Sequence, residues 1–133
     1  MLDLLDDYLA RERESDFVWG EGNGDCILFL IGWGKLIKGV DFGVSWRGLY
    51  HSKEEARALL ERRGGLIAHM VEYLGAPRMG SPAVRGDVGI LQTRDWTFGM
   101  IFDGHSWAMR DHPKGVRHLR IGVDCVWSMG FGG

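Results

Sequence analysis

One segment constrains the fold more than any other, the run CILFLIGWGKLIK from Cys26 to Lys38, which is apolar on nearly every side. The Gly-rich stretch FVWGEGNGDC precedes it and cannot be helical throughout, and Gly39 follows it as a helix stop. The run falls far short of the roughly 20 apolar residues that span a bilayer. The sequence therefore predicts a buried central helix around which other elements pack, and no membrane span.

Three further helices are predicted from apolar periodicity and capping signals. They run from Leu2 to about Ser15, from Ser52 to about Arg63, and from Leu66 to Leu74. In the second of these, Ser52 and Glu55 have the spacing of a capping box. Gly64 and Gly65 end that helix, and Gly75 ends the next.

The residues from Pro77 to Arg85 are loop-like, and short β-rich runs follow them. The predicted strands are Val88 to Thr93, Thr97 to Phe102, Ser106 to Arg110, Val116 to Ile121 and Val123 to Ser128. Helices followed by strands predict an α+β fold in which N-terminal helices pack on one face of a C-terminal antiparallel sheet. At 133 residues we expect one domain, 1–133, with a short Gly-rich tail at 130–133.

Charge and cysteine content narrow the function classes. The formal net charge of −2 gives no field that favours nucleic acid or an anionic membrane, so a protein partner or a small substrate fits better. The acidic, amphipathic N-terminus does not read as a secretory signal. In the reducing compartment this implies, a disulfide between Cys26 and Cys125 is disfavoured. No pattern for a cofactor is present.

Cys26 is the strongest candidate for a reactive residue. At the start of a helix, free backbone N–H groups and the positive end of the helix dipole favour a thiolate, which lowers the pKa and makes a nucleophile. The alternative is that Cys26 is a small buried apolar residue, and spacing alone favours this alternative.

Three short motifs in series add a resemblance. They are Gly24-Asp25-Cys26, Gly86-Asp87-Val88-Gly89-Ile90-Leu91 and Phe98-Gly99-Met100-Ile101-Phe102. Over residues 16–128 the chain resembles the NlpC-type papain-like cysteine peptidases. Phe17-Val18-Trp19-Gly20 and Trp46-Arg47-Gly48-Leu49-Tyr50 are closest to a phage-borne branch of that superfamily, often encoded among tail-assembly genes. The resemblance implies a papain-like fold and a virion protein that is assembled in the host cytoplasm next to a tail hub protein.

The resemblance also exposes a missing catalytic base. The related peptidases carry a histidine at the start of the strand where this chain has Thr97, and their third polar position falls near Met109 or Arg110. Threonine cannot accept a proton near neutral pH. His105 is the tentative substitute, against the default of a solvated turn histidine.

The other histidines are His51, His69, His112 and His118. The first two are expected to be structural or at the surface, and the last two flank a basic loop without zinc-ligand spacing. No metal site is predicted.

A substrate or partner surface is predicted at Trp19, Asp25, Trp46 and Thr97, whereas Trp33 is expected in the core. Arg110, Lys114, Arg117 and Arg120 form a basic cluster, either for an acidic partner or as a solvated face.

Two main functions follow from these features. The first is a structural component of a phage or prophage-derived tail tip or baseplate, an inactive papain-like domain that binds a hub protein. The second is a tail-associated cysteine hydrolase that cuts the peptides of peptidoglycan with Cys26 as nucleophile. A cellular thiol-dependent amidase unrelated to phage is a third alternative.

Overall fold

A computed structural model describes residues 2–79 and 82–131, which form one small α+β domain. Its helices are α1 (Leu4–Arg13), α2 (Cys26–Lys38), α3 (Lys53–Arg63) and α4 (Leu66–Leu74). Its strands are β1 (Val88–Gln92), β2 (Thr97–Phe102), β3 (Trp107–Arg110), β4 (Val116–Leu119) and β5 (Cys125–Trp127). The predicted α+β class is confirmed, as are the predicted helices and strands, whose ends shift by a residue or two.

The helix ends follow local capping chemistry. Asp3 and Asp6 form a capping box at the start of α1, which places that start two residues after the predicted one. Ser52 caps α3 by accepting from the Glu55 N–H at 3.1 Å, but the Glu55 carboxylate accepts from the His51 N–H rather than from Ser52. Gly39 ends α2 in the left-handed region, with φ of 71°.

All five strands are antiparallel, in the order β4-β3-β2-β1-β5. The pairing of β2 with β3 is short, since only Ile101 with Ala108 and Phe102 with Trp107 are in register. The start of β2 and the end of β3 therefore diverge. This divergence leaves one corner of the sheet open beside the start of α2.

Helix α2 lies against the sheet as its central buried helix, as predicted. Its apolar residues from Ile27 to Ile31 are fully buried, and Trp33, at 0% exposure, confirms the expected core position. Gly99 in β2 allows the close approach, because a Cβ there would lie 1.8 Å from the Leu30 side chain and 2.7 Å from the Cys26 carbonyl oxygen. The contact holds the first turn of α2 against the first half of β2.

The opposite face of the sheet has its own small apolar cluster, built around Met100, Trp107 and Val126. Within the described residues, no helix is both long enough and apolar enough to cross a membrane. Gly132 and Gly133 of the predicted Gly-rich tail lie outside the described residues, as do residues 80 and 81 of the loop before β1.

Candidate functional site

Cys26 is the first residue of α2, and Asp25 is its N-cap. The Asp25 carboxylate is fully buried and accepts from the backbone N–H groups of Ile27 at 2.9 Å and Leu28 at 2.8 Å. It also accepts from the Gly20 N–H at 2.9 Å and the Tyr50 hydroxyl at 2.7 Å. Asp25 therefore fixes the helix start and is not part of an exposed surface, which corrects its predicted role as a surface residue.

Asp25 also joins the two motifs that precede and follow α2. Gly20, from the first motif, has φ of +76°, and a Cβ there would lie 1.9 Å from the Tyr50 carbonyl oxygen. The Gly20 carbonyl accepts from the Gly48 N–H at 2.8 Å. The loop from Trp46 to Tyr50 is thus packed onto the turn that leads into Cys26, and both support the helix start.

The sulfur of Cys26 is enclosed by two partners from the start of β2 and the turn before it. The indole N–H of Trp96 donates to Sγ at 2.9 Å, and the carbonyl oxygen of Thr97 lies 3.9 Å from Sγ. Cys26 is only 4% exposed. The thiol therefore has a donor and an acceptor within the chain itself.

Burial raises the pKa of the Cys26 thiol to about 12, although the Trp96 N–H acts in the opposite direction. The nearby Asp25 carboxylate raises the pKa further. The predicted thiolate-favouring effect of the helix start is therefore wrong for this site, because desolvation of the charged sulfur outweighs the helix N-terminus. The raised pKa favours the protonated thiol at neutral pH.

At the start of β2, the residue beside the sulfur is Thr97 and not a histidine. Thr97 directs its backbone carbonyl to the sulfur, and its buried side-chain Oγ1 has no hydrogen-bond partner within the described residues. Thr97 is 4% exposed, so its hydroxyl is not part of an open partner surface either. The site holds no general base at this position.

His105 does not take over this role. It lies in the turn from Asp103 to Ser106, beyond the far end of β2, where its backbone N–H donates to the Asp103 carboxylate at 2.8 Å. The six residues of β2 separate the two ends by roughly 17 Å at about 3.3 Å a residue. The tentative pairing of His105 with Cys26 is therefore wrong, and His105 is an exposed turn residue.

A groove of about 350 Å³ opens above Cys26, and we call it the Cys26 groove. It is lined by Phe17, Trp19, Cys26, Lys53, Trp96, Phe98, Met109, Arg110, Asp111, His112 and Arg117. The divergence of β2 from β3 opens this corner of the sheet. Of the four predicted surface residues, Trp19 lines the groove, and Asp25, Trp46 and Thr97 do not. Trp96, which was not predicted, lines it together with Cys26.

His112 in the groove was missed by the reasoning from sequence. The Phe17 N–H donates to the Pro113 carbonyl at 2.8 Å, and the Phe17 and His112 rings are 5.1 Å apart. This backbone pairing brings the loop after β3 beside the segment before α2. A contact between positions so distant in the chain leaves no local signal, although the aromatic run before Cys26 marks one side of it.

Trp46 was predicted at a cleft or interface and is instead fully buried. Its indole N–H donates to Nδ1 of His69 at 3.2 Å, and Nε2 of His69 lies 2.5 Å from the Phe42 carbonyl oxygen, so the neutral imidazole donates there. The motif Trp46 to Tyr50 is thus a core feature. Its tryptophan donates a hydrogen bond to the buried His69 and is not exposed to a partner protein.

Arg110 does not belong to a surface basic cluster. It is 2% exposed and forms an ion pair with Glu12 of α1, and it donates to the Asn23 carbonyl at 2.8 Å. Lys114, Arg117 and Arg120 remain exposed or partly exposed. The predicted cluster is therefore split, and its first member ties α1 to the turn before α2.

Within the described residues no group of three or more His, Cys, Asp or Glu side chains is placed to hold a metal ion. Cys26 and Cys125 are both free and buried, Cys125 in β5 opposite Ile90. The site combines a thiol and an indole donor with charged or titratable side chains around an aromatic groove, and these are Lys53, Arg110, Asp111, His112 and Arg117.

The search of curated proteins found no match, and the search of solved structures found none either. One family model matches nearly the whole chain, over residues 3–129, from the N-cap of α1 to the residue two positions after β5. The chain belongs to the family described as a domain of unknown function, DUF6950.

Proposed function

We propose that this protein is a catalytically silent papain-like domain of the NlpC type that serves as a structural component of a phage or prophage-derived tail tip or baseplate, bound to a hub protein. The observation that carries the proposal is that the Cys26 sulfur is buried between the Trp96 indole N–H and the Thr97 carbonyl oxygen, both of which contact it. The cysteine stands at a helix start, but its raised pKa favours the protonated thiol, and within the described residues its hydrogen-bond partners are Trp96 and the Thr97 carbonyl and not a base.

The arrangement of elements supports the papain-like part of the proposal. The motif that carries the cysteine begins the central helix, and the two later motifs form β1 and β2, which pair antiparallel next to that helix. The start of β2 lies at the sulfur, where the resemblance places a catalytic base. The tail assignment rests on the resemblance of the motif from Trp46 to Tyr50 to the phage-borne branch.

Purified phage particles, or particles induced from a prophage that carries the gene, test the structural role. We expect quantitative mass spectrometry to find the chain at a fixed ratio to the tail hub protein after density-gradient purification. A host cytosolic protein of similar abundance is the control for carry-over. Presence in the lysate together with absence from washed particles would refute the proposal.

One observation favours a second function, a cysteine hydrolase of cell-wall peptides. His112 lines the same groove as Cys26, so an imidazole is present on the groove side of the thiol. If the thiol is activated from that side, the wild type releases peptide fragments from purified muropeptides, and both Cys26→Ser and His112→Ala abolish the release. No release by the wild type, or equal release by the Cys26→Ser variant, removes the hydrolase.

A further inference from the structure

We infer that the Cys26 groove is the docking site of the partner, and that its occupant is an extended segment of the partner protein with acidic side chains next to aromatic ones. The inference rests on the proposed structural role. It specifies which surface meets the partner and which chemistry the partner presents.

The shape of the groove suits an inserted side chain. At about 350 Å³ it falls in the lower range of ligand pockets, which begins at about 300 Å³. Three aromatic rings form a continuous wall, because the rings of Phe17 and Trp19 are 4.8 Å apart and those of Trp19 and Trp96 are 5.7 Å apart. Both contacts are edge-to-face, and the side chains of Phe17 and Trp19 are partly exposed, so this wall offers apolar ring surface to an aromatic side chain of the occupant.

The charges of the groove favour an acidic occupant. Its single carboxylate, Asp111, is already paired with Arg117 at 3.2 Å. Lys53 is exposed, with its Nζ 5.4 Å from the centre of the Trp96 ring, and forms no ion pair with a carboxylate of the described residues. The groove therefore has one cation without a counterion, placed at the edge of the aromatic wall.

The groove is also lined by a buried cation. Arg110 forms part of the groove, and its Nε–H has no acceptor within the described residues, although the rest of its guanidinium is fully engaged. Glu54, the residue after Lys53, does not line the groove. The residues that line the groove thus include three cationic side chains, Lys53, Arg110 and Arg117, and one carboxylate, a balance that complements an acidic occupant.

Two model peptides test the inference directly. The first probe is an acetylated, amidated pentapeptide of alternating glutamate and phenylalanine, and the second has glutamine in place of every glutamate. Intrinsic tryptophan fluorescence reports occupancy, because Trp19 and Trp96 form the wall. We expect the acidic peptide to bind at least about tenfold more tightly than the glutamine peptide at low salt, with the difference shrinking as salt rises.

Matched variants place the binding in this groove. Lys53→Gln should weaken binding of the acidic peptide about tenfold. The control is Lys38→Gln, since Lys38 is an exposed lysine at the end of α2 opposite to Cys26, and this variant should leave the affinity for the acidic peptide unchanged. Circular dichroism confirms that both variants fold. Equal affinity for the two peptides, no binding of the acidic peptide, or equal loss in both variants would overturn the inference.

Particle incorporation is measured separately from this binding. If the chain is present in purified particles but the acidic peptide does not bind, the docking inference falls and the structural role stands. If the peptide binds but the chain is absent from particles, the structural role falls, and with it the identification of the occupant as a tail partner.

Discussion

Replacing Asp25 should lower the free energy of unfolding, because this buried carboxylate accepts hydrogen bonds from four donors at the start of α2. In Asp25→Ala the loss of the N-cap costs about 1 kcal/mol. The Gly20 N–H and the Tyr50 hydroxyl are also left without their acceptor, at about 1 to 3 kcal/mol for each buried group. The expected loss of unfolding free energy is therefore about 3 to 7 kcal/mol.

Asp25→Asn separates these contributions. Its amide oxygen still accepts from Ile27 and Leu28, but the amide nitrogen replaces the oxygen that faces Gly20, so we expect a loss of about 2 kcal/mol. Urea unfolding followed by circular dichroism measures both variants, with exposed Asp7→Asn as the matched control. A loss below about 1 kcal/mol in Asp25→Ala, no larger than in the control, would refute the argument from buried donors.

The remaining predictions concern two other buried groups. Thr97→Val should stabilise the protein by about 1 kcal/mol in thermal or urea unfolding, because it removes a buried hydroxyl without a partner and keeps the shape of the side chain; a clear destabilisation would show that Oγ1 has a partner. Burial lowers the pKa of His69 below its ordinary value of 6.5, so below that pH the unfolded chain binds a proton that the folded chain does not. Unfolding free energy should therefore fall as pH drops below about 6.5, as protonated Nδ1 no longer accepts from Trp46. His69→Gln should lose this dependence, and exposed His105→Gln should keep it; an unchanged acid response in His69→Gln would contradict the assignment.

Local signals explain why the elements were predictable. The all-round apolar pattern of Cys26 to Lys38 and the capping pair Ser52 and Glu55 depend only on neighbours in the chain. The alternating and β-rich runs after residue 85 gave the strands for the same reason. The position of Cys26 before an apolar run also predicted a cysteine at a helix start, and it is the first residue of α2.

Long-range partners explain what the sequence did not reveal. Arg110 is buried because Glu12, 98 positions away, pairs with it. Trp46 is buried because His69 offers an acceptor inside the core. The pKa of the Cys26 thiol is raised because burial in the core excludes water, which outweighs both the Trp96 hydrogen bond and a helix effect that does follow from local sequence.

The protonation state of Cys26 tests the central claim most directly. With ¹³C-labelled cysteine, the Cβ chemical shift of Cys26 can be followed by nuclear magnetic resonance from pH 6 to 10, and Cys125, whose thiol pKa burial raises to about 11, serves as the internal comparison. A silent site predicts that Cys26 shows no titration step across this range, since its thiol pKa is raised to about 12. A step with its midpoint at or below about pH 8 would show a thiolate available near neutrality and would contradict the account.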